Sequence, residues 1–265
     1  LMSLCRRATV MVTVDDPGNV KDLSEAAQAF GVKLGVLIDV DSGQNRCGVL
    51  PGEPALRLAH FVARSSALEF KGIHGYEGHL QSIQDFEERA SKATEAMAKV
   101  VETADAIRTD GIPVDIVSAG GTGTYNITGA FPGITEVQAG SYVLMDAAYR
   151  RILEDFDVAG TVLASVMSRP TVDRAVLDCG MKAISTDQWP PQVIGLPGTN
   201  VGVPSDEHLT LTLTDSDSRQ LRIGDKVELI AGHNDTTVNL HSYLFGVRGV
   251  TLENVWEVGA RGRIR

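Results

Sequence analysis

The chain has no long hydrophobic run and few cysteines, and each absence excludes a class of protein. No stretch of its 265 residues approaches the roughly 18 to 20 apolar residues that a membrane span needs. The segment Leu1–Arg7 has no apolar core of the kind found in signal peptides. Three cysteines, Cys5, Cys47 and Cys179, are too few and odd in number for a disulfide framework. The sequence therefore predicts a cytoplasmic protein with reduced thiols.

The chain also lacks an excess of positive charge. Its net charge is −10, which argues against a nucleic acid or an anionic membrane as partner. The composition is otherwise ordinary, with 43% hydrophobic and 22% charged residues, as in soluble globular proteins. The length is sufficient for one large domain or for a large and a small one. We therefore expect a soluble globular protein, and the net charge does not exclude a local basic pocket for a phosphate.

The first 150 residues alternate between strand and helix patterns. Buried-strand patterns occupy residues 8–14, 33–40, 70–75, 113–118 and 134–139, and helical patterns occupy residues 20–30, 54–65 and 85–108. Asn19 is the predicted N-cap of the first helix, and Gly31 is its predicted end. The third helix has a 3.6-residue apolar stripe through Phe86, Ala90, Ala93, Met97, Val100, Ala104 and Ile107. Short strands that alternate with helices predict parallel β/α units.

The pattern changes near residue 160. Strand patterns follow at residues 161–168, 174–178, 208–213 and 226–230, with no amphipathic helix among them. We therefore predict an α/β chain with a partial (β/α)8 barrel in residues 1–158 and a β domain in residues 159–265. Five barrel strands are too few to close an eight-stranded barrel. The sheet is either open or belongs to a barrel whose first part is missing.

Two glycine-rich segments follow predicted strands. Ser118-Ala119-Gly120-Gly121-Thr122-Gly123-Thr124 comes after the fourth strand, and Gln138-Ala139-Gly140-Ser141-Tyr142 after the fifth. Glycines let backbone N–H groups approach an anion, and the threonine and serine hydroxyls add donors. The last two strands of barrel enzymes often share one phosphate at their ends. A phosphate cradle and a pair of plain turns remain equally compatible with the spacing.

Polar residues also follow the second and third strands. Arg46 lies in the segment Asp39–Gly48, where barrel enzymes place catalytic groups, although a solvated loop arginine fits as well. Tyr76 and His79 lie in His74–Gln81, which holds two histidines, a tyrosine and a glutamate. Such a density of titratable groups at a strand end favours a functional site over a plain loop.

The run Gly232-His233-Asn234-Asp235 lies near the C-terminus. On an extended backbone, residues two apart point to the same side, so His233 and Asp235 would converge while Asn234 points away. An imidazole and a carboxylate that converge can form an open divalent-metal site. A polar turn between two strands is the alternative, and the tripeptide alone favours it.

Taken together, these segments resemble the fold-type III pyridoxal-phosphate enzymes, and most closely the D-threonine aldolase / D-serine dehydratase-like branch. The matching segments occur in family order over nearly the whole chain: Asp39–Gly48, Gly75–Gln81, Gly120–Gly123, Gln138–Asp146, Leu177–Lys182, Ser205–His208, His233–Leu240 and Glu257–Arg263. The resemblance implies an alanine-racemase-type barrel, a D-serine-dehydratase-like β domain, an active site between them and a homodimer.

The resemblance also assigns residues. Arg46 would lie near the phenolic oxygen of pyridoxal 5'-phosphate and Tyr76 near its ring. His233 and Asp235 would hold a divalent metal, and Arg46, Tyr76 and His79 would be catalytic. The expected neighbours of the cofactor phosphate are Gly121, Thr122, Gly123, Gly140, Ser141 and Tyr142.

The chain departs from the family at one essential point. The Schiff-base lysine of the family lies on the first barrel strand, in a segment like Pro-His-x-Lys-x-His-Lys, and no such segment occurs among the 265 residues. The strand at Thr9–Val14 resembles the fourth strand of the family barrel. The sequence is therefore interpreted as an N-terminally truncated member, which would be inactive as given.

The choice of reaction follows from the metal ligands. Dehydratases of this branch tend to pair histidine with cysteine, whereas the aldolases pair histidine with aspartate. Asp235 is a hard oxygen ligand that suits manganese or magnesium better than zinc. The expected reaction is therefore the retro-aldol cleavage of a β-hydroxy-D-amino acid such as D-threonine to glycine and an aldehyde.

Three alternatives remain. In the aldolases a histidine follows the glutamine of the Tyr76 loop, whereas this chain has Ser82, so His79 or Glu77 would have to supply the base. The substrate could then be a 3-hydroxyaspartate or another β-hydroxy-D-amino acid. A dehydratase that forms a 2-oxo acid and ammonia is the second alternative. An inactive homologue or a non-catalytic cofactor-binding protein is the third.

Overall fold

The computed structural model describes residues 1–263 and has two compact units, Leu1–Gly140 and Ser141–Arg265. The first unit contains one parallel sheet whose five strands follow chain order. Three long helices, α1 (Pro17–Phe30), α2 (Glu53–Ala63) and α3 (Phe86–Thr109), connect its first four strands, and the short helix α4 (Tyr125–Thr128) precedes the fifth. The strands are β1 (Met11–Val14), β2 (Leu34–Asp39), β3 (Leu68–His74), β4 (Ile116–Ala119) and β5 (Glu136–Val137). The predicted parallel β/α architecture is confirmed.

Helix α1 begins three residues earlier than predicted, at Pro17, and its N-cap is Asp16. The side chain of Asp16 accepts a hydrogen bond of 2.8 Å from the backbone N–H of Asn19, and Pro17 occupies the first turn. The prediction of Asn19 as the N-cap was therefore wrong, because a preceding aspartate followed by proline is the stronger start signal. Gly31 ends the helix with φ of 61°, as predicted, since glycine adopts this left-handed conformation without strain.

Helix α3 buries most of its predicted stripe. Ala93, Met97, Val100, Ala104 and Ile107 are buried against the sheet core, whereas Phe86, in the first helical position, is exposed. Among residues 1–263, no helix combines the length and apolarity that a bilayer crossing requires. The core of the first unit therefore lies between the parallel sheet and its helices.

The second unit is an antiparallel β domain, as predicted. Its strands are β6 (Val162–Thr171), β7 (Arg174–Leu177), β8 (Gln192–Val193), β9 (Thr199–Val201), β10 (Leu209–Leu213), β11 (Lys226–Ile230), β12 (Tyr243–Arg248) and β13 (Thr251–Glu257). The six-stranded sheet has the order β8-β11-β6-β7-β10-β9, and a separate hairpin pairs β12 with β13. Four predicted strands are present, whereas β8, β9 and the hairpin were not predicted. A short helix, α5 (Asn234–Val238), precedes the hairpin.

The two compact units divide before residue 158, the predicted end of the first domain. The segment after Gly140 bonds within the second unit: the N–H of Ala147 donates to the carbonyl of Ala231 at 2.8 Å. The N–H of Asn234 donates to the Asp146 carboxylate at 3.2 Å. These bonds explain why residues 141–158, which contain no strand, belong to the second compact unit.

Candidate active site

Polar side chains meet at the carboxyl ends of the parallel strands in the first unit. Asp39 on β2 lies opposite His74 on β3, and His74 lies opposite Ser118 on β4. Gln138 follows β5 directly and contacts both His74 and Ser118. Ligands of parallel β/α sheets bind at this edge. The sheet therefore gathers these four residues where a ligand is expected.

His74 is held between two oxygen atoms. Its Nδ1 lies 2.7 Å from Asp39 Oδ1 and its Nε2 lies 3.0 Å from Gln138 Oε1. Burial alone would lower the pKa of His74, but the hydrogen bond and charge of Asp39 outweigh it, and the pKa is raised above its ordinary value. His74 is thus a strongly positioned group, although the sequence indicated only that it lies near the site.

The glycine-rich loop after β4 is fixed by the fully buried Glu77. One carboxylate oxygen accepts from the Gly120 N–H at 2.9 Å. The other accepts from the hydroxyls of Thr124 at 2.6 Å and Thr128 at 2.7 Å. Because Glu77 is buried and accepts three hydrogen bonds, it is committed to holding this loop and is poorly placed to act as the base considered from the sequence.

Gln81 holds the same loop from its other side. Its Oε1 accepts from the Gly123 N–H at 2.8 Å, and its Nε2 donates to Thr124 Oγ1 at 2.9 Å. A Cβ on Gly121 would lie 2.6 Å from Gln81 Oε1, and one on Gly123 would lie 2.1 Å from the Gln81 carbonyl oxygen. Glycine is therefore required at both positions for the loop to pack on Gln81.

These contacts restrict how the loop could hold a phosphate. The N–H groups of Gly121 and Gly123 already donate to Thr124 Oγ1 and Gln81 Oε1. The phosphate contacts of Gly121, Thr122 and Gly123 remain predictions. In this arrangement Gly121 and Gly123 allow the loop backbone to pack closely on Gln81. Thr122 is itself buried in the loop.

Arg46 and Tyr76, which the resemblance places in one site, are in contact. The Arg46 guanidinium carbon lies 5.6 Å from the centroid of the Tyr76 ring, within cation–π range. The Arg46 loop is shaped by Asp41, which accepts from the N–H groups of Gly43 at 2.9 Å and Asn45 at 3.0 Å. His79 is exposed, and a Cβ on Gly43 would lie 3.3 Å from its Nε2. The loops after β2 and β3 thus bring all three predicted catalytic residues to one edge.

The other predicted phosphate neighbours lie at the boundary of the two units. Gly140 ends the first unit, and a Cβ there would meet no atom within 4 Å. Ser141 and Tyr142 begin the second unit in a single helical turn, Ser141–Val143. The Tyr142 ring lies 5.2 Å from that of Phe156. The role of these three residues toward the cofactor remains a prediction.

In the second unit, His233 and Asp235 converge as expected but not for the expected reason. His233 Nε2 lies 3.0 Å from Asp235 Oδ2. His233 is extended, with φ of −152°, whereas Asp235 lies in the first turn of α5. The prediction of a continuous extended backbone was therefore wrong, and a strand-to-helix turn brings the two side chains together. The intervening Asn234 is buried, not directed outward.

A second carboxylate, Asp187, contacts the other side of the His233 ring. Its Oδ2 lies 2.9 Å from His233 Nδ1. Its Oδ1 accepts from the hydroxyl of Thr236 at 2.9 Å and from that of Ser185. Partial burial raises the pKa of Asp187, but the hydrogen bonds from Ser185, His233 and Thr236 outweigh it and lower that pKa to about 2. Asp187 thus contacts Nδ1 of His233, and Nε2 is the ring nitrogen that faces Asp235.

Asp146 supports this turn from within the second unit. It is fully buried and accepts from the N–H groups of Asn234 at 3.2 Å and Tyr149 at 2.9 Å. Burial raises the pKa of Asp146 above its ordinary value, although these two hydrogen bonds act in the opposite direction. The residue between His233 and Asp235 is thereby anchored to the core.

The donor set in the second unit fits a divalent metal. His233 Nε2 and Asp235 Oδ2 lie 3.0 Å apart, a separation that suits two ligands of one metal ion with bonds of about 2.1 Å. Within residues 1–263, no group of three or more His, Cys, Asp or Glu side chains is arranged as a metal site. His233 and Asp235 would thus supply two ligands and leave other positions to water or substrate, as is usual for magnesium sites.

The first unit likewise fits an anionic, aromatic cofactor. The cationic Arg46 lies against an aromatic ring, and the adjoining glycine loop has space only for glycine at Gly121 and Gly123. Pyridoxal phosphate carries a phosphate and a phenolic oxygen, both of which a guanidinium can bind. These residues are compatible with the cofactor that the resemblance implies.

Replacement of Asp187 by asparagine is expected to weaken Mn²⁺ binding about 10- to 100-fold, because a carboxylate that orients a ligating histidine typically contributes this much to metal affinity. The affinity can be measured by electron paramagnetic resonance of free Mn²⁺ during titration. Asp155→Asn, at an exposed aspartate of the same unit, is the control. Equal affinities of Asp187→Asn and the unchanged protein would contradict the role of Asp187.

Sequence reasoning overlooked Asp187, Asp39 and Gln138. Asp187 lies 46 positions before His233, in a segment without a recognised motif. Asp39 and Gln138 were included in matching segments but had no assigned role. One usable signal was the position of Asp39 and Gln138 at the ends of predicted strands, where parallel sheets gather functional groups.

Two family models match the chain. Residues 1–148 match the alanine racemase N-terminal domain, and residues 159–247 match a putative serine dehydratase domain. The first match covers the parallel sheet of the first unit. The second covers the antiparallel sheet and the segment that contains His233 and Asp235.

Individual relatives match nearly the whole chain. A 3-hydroxy-D-aspartate aldolase of Paracoccus denitrificans (strain Pd 1222) is 40% identical over 97% of this chain and 68% of its own length. A D-threonine aldolase of Arthrobacter sp is 35% identical over 99% of this chain and 70% of its own length. The crystal structure of D-threonine aldolase from Filomicrobium marinum is 39% identical, covers 100% of this chain and 73% of that protein, and superposes with a TM-score of 0.97. The chain therefore belongs to the fold-type III pyridoxal-phosphate enzymes, in the D-threonine aldolase / D-serine dehydratase-like branch.

Proposed function

We propose that the protein is a pyridoxal-phosphate- and metal-dependent aldolase that cleaves β-hydroxy-D-amino acids to glycine and an aldehyde. The observation that carries the proposal is the pair of His233 Nε2 and Asp235 Oδ2, 3.0 Å apart, with an oxygen ligand where a zinc-preferring site would have sulfur. The aldolase relatives support the same reaction, with D-threonine and 3-hydroxy-D-aspartate as model substrates. Manganese or magnesium is the proposed metal.

Each group in the proposed site has a separate role. Bound pyridoxal phosphate supplies the electron sink for cleavage of the Cα–Cβ bond. A divalent ion held by His233 and Asp235 supplies a Lewis acid that lowers the pKa of a hydroxyl. Arg46 and Tyr76 bind and orient an anionic aromatic group, and Asp187 keeps the metal-facing lone pair of His233 available.

His79 is the proposed base that removes the hydroxyl proton of the substrate. Glu77 is occupied by three hydrogen bonds, whereas His79 is exposed at the loop edge beside Gly43. A general base contributes about 10²- to 10⁴-fold to a rate. His79→Gln should lower kcat by an amount in this range while Mn²⁺ affinity is unchanged, and an unaltered kcat would exclude His79.

Product analysis distinguishes the aldolase from the dehydratase alternative. The protein as its gene encodes it is incubated with pyridoxal phosphate, Mn²⁺ and, separately, D-threonine, 3-hydroxy-D-aspartate and D-serine. The proposal predicts glycine and an aldehyde from the first two substrates, without ammonia. Ammonia and a 2-oxo acid without glycine would identify a dehydratase, and no product from any substrate would support an inactive homologue.

We also propose a homodimer. An isolated two-stranded hairpin is only marginally stable in water, and the β12–β13 hairpin exposes a large apolar surface. A second copy of the chain would cover this apolar surface. Light scattering that finds only monomer at micromolar concentration would contradict the proposed homodimer. The exposed apolar residues are Tyr243, Phe245, Val247, Val250, Leu252, Val255 and Trp256.

The proposed location is the cytoplasm. All three cysteines are free thiols, as expected where disulfides do not persist. Cell fractionation that recovers the protein outside the cytoplasm would contradict this location.

A further inference from the structure

We infer that a directional chain of hydrogen bonds starting at Glu136 holds His74 as an imidazolium, which makes it a fixed cation and not a proton acceptor. The chain runs along the carboxyl edge of the parallel sheet, from Glu136 on β5 through Ser118 and Gln138 to His74, and ends at Asp39. Every bond in it has a direction that is set by the carboxylate at one end.

The first two bonds fix the orientation of the Gln138 amide. A carboxylate only accepts, so the Ser118 hydroxyl donates its one proton to Glu136 Oε1. The Ser118 oxygen can then only accept from Gln138, and the donor is Gln138 Nε2 at 2.8 Å. The amide oxygen of Gln138 must therefore face away from Ser118.

The remaining bonds fix the protons of His74. Gln138 Oε1 lies 3.0 Å from His74 Nε2, and since an amide oxygen only accepts, Nε2 carries a proton. The Asp39 carboxylate lies 2.7 Å from His74 Nδ1, so Nδ1 carries a proton as well. An imidazole with protons on both nitrogens is an imidazolium.

The charges around His74 are consistent with this state. Asp39 on β2 contacts it directly, and Glu136 on β5 acts through the chain, whereas Arg46, in the loop after β2, opposes the positive charge. The His74 side chain is only 16% exposed, so its charge is poorly screened by water and depends on these partners.

The functional consequence rests on the proposed function, whereas the protonation state does not. If an anionic cofactor binds at this edge, an imidazolium there stabilises negative charge and cannot act as a base, so proton removal falls to another residue such as His79. Glu136, Ser118 and Gln138 are then positioning residues, because they act through His74.

Nitrogen NMR of ¹⁵N-histidine-labelled protein, prepared without cofactor, tests the inference. The His74 signals are identified by their absence in His74→Gln. Both ring nitrogens should be protonated at pH 6.5, and His74 should titrate above that ordinary histidine value. In Glu136→Gln the new amide can donate to Ser118 and reverse the chain, so the proton affinity of His74 should fall about tenfold.

Ser118→Ala, which interrupts the chain but leaves Glu136 in place, should also lower the proton affinity. Glu102→Gln, at an exposed glutamate of α3, makes the same chemical change elsewhere and should have no effect. A neutral His74 in the unchanged protein at pH 6.5, or equal proton affinities in Glu136→Gln and the unchanged protein, would overturn the inference. Because these spectra need neither cofactor nor substrate, a failed aldolase assay would leave their interpretation intact.

Discussion

Replacement of Glu77 by alanine is expected to lower the free energy of unfolding of the first unit by about 3 to 5 kcal/mol, since it leaves several buried donors without an acceptor. The donors are the Gly120 N–H and the hydroxyls of Thr124 and Thr128. None can turn to water, because Glu77, Thr124 and Thr128 are completely buried. The glycine loop would lose its anchor, and its affinity for pyridoxal phosphate should fall with it.

The measurement must report on the first unit alone. Both tryptophans, Trp189 and Trp256, lie in the second unit, so their fluorescence would miss this change. Amide hydrogen exchange of residues 120–124 reports directly on the loop, and exchange of the β3 and β4 amides reports on the sheet.

Two further variants define the effect. Glu77→Gln keeps one acceptor oxygen but turns an amide donor toward other donors, so we expect a smaller but clear loss of stability. Glu102→Ala, at an exposed helical position, should change stability by no more than about 0.5 kcal/mol. Unchanged exchange in Glu77→Ala would show that Glu77 does not hold the loop.

Replacement of Asp235 by alanine is expected to lower kcat/KM for D-threonine cleavage about 10²- to 10⁴-fold while leaving both units folded. A metal that acts as a Lewis acid lowers the activation barrier by several kcal/mol, and a rate loss of this size follows when the metal is not bound. Asp235 is highly exposed, so its removal creates no buried cavity. His233→Ala should have the same effect on activity and on Mn²⁺ affinity.

Asp235→Cys provides a sharper test than truncation. A thiolate favours zinc, so the ratio of Zn²⁺ affinity to Mn²⁺ affinity should be higher in this variant than in the unchanged protein, and its manganese-dependent activity should be lost. Asp155→Ala, at an exposed aspartate of the same unit, is the matched control and should retain the affinity ratio and the manganese-dependent activity of the unchanged protein. Full manganese-dependent activity in Asp235→Ala would show that the metal does not bind at this pair.

The fold was predictable where the sequence pattern is local. The buried strands and the stripe of α3 follow directly from apolar periodicity, and they were found nearly in place. Strands β8 and β9 were missed because they are two and three residues long and form only by pairing with distant strands. The cap of α1 was misplaced because both Asp16 and Asn19 are good capping residues, and Pro17 decides between them.

The sequence indicated which of the candidate residues come together, but not the contacts that support them. Spacing indicated that His233 and Asp235 meet, although the backbone that achieves it is a turn into α5. Asp187 and Glu77 act on residues 46 and 43 positions away. Such contacts depend on the tertiary fold, and a single sequence contains no signal for them.

Metal-dependent glycine formation from D-threonine is the measurement that tests the proposed reaction most directly. The protein, supplied with pyridoxal phosphate and freed of metal with a chelator, is titrated with Mn²⁺ while glycine is measured, and bound Mn²⁺ is followed by electron paramagnetic resonance in parallel. We predict no glycine without metal, and a rate that rises with the bound Mn²⁺ and is lost in His233→Ala. Glycine formation that is equally fast after removal of the metal would contradict the account.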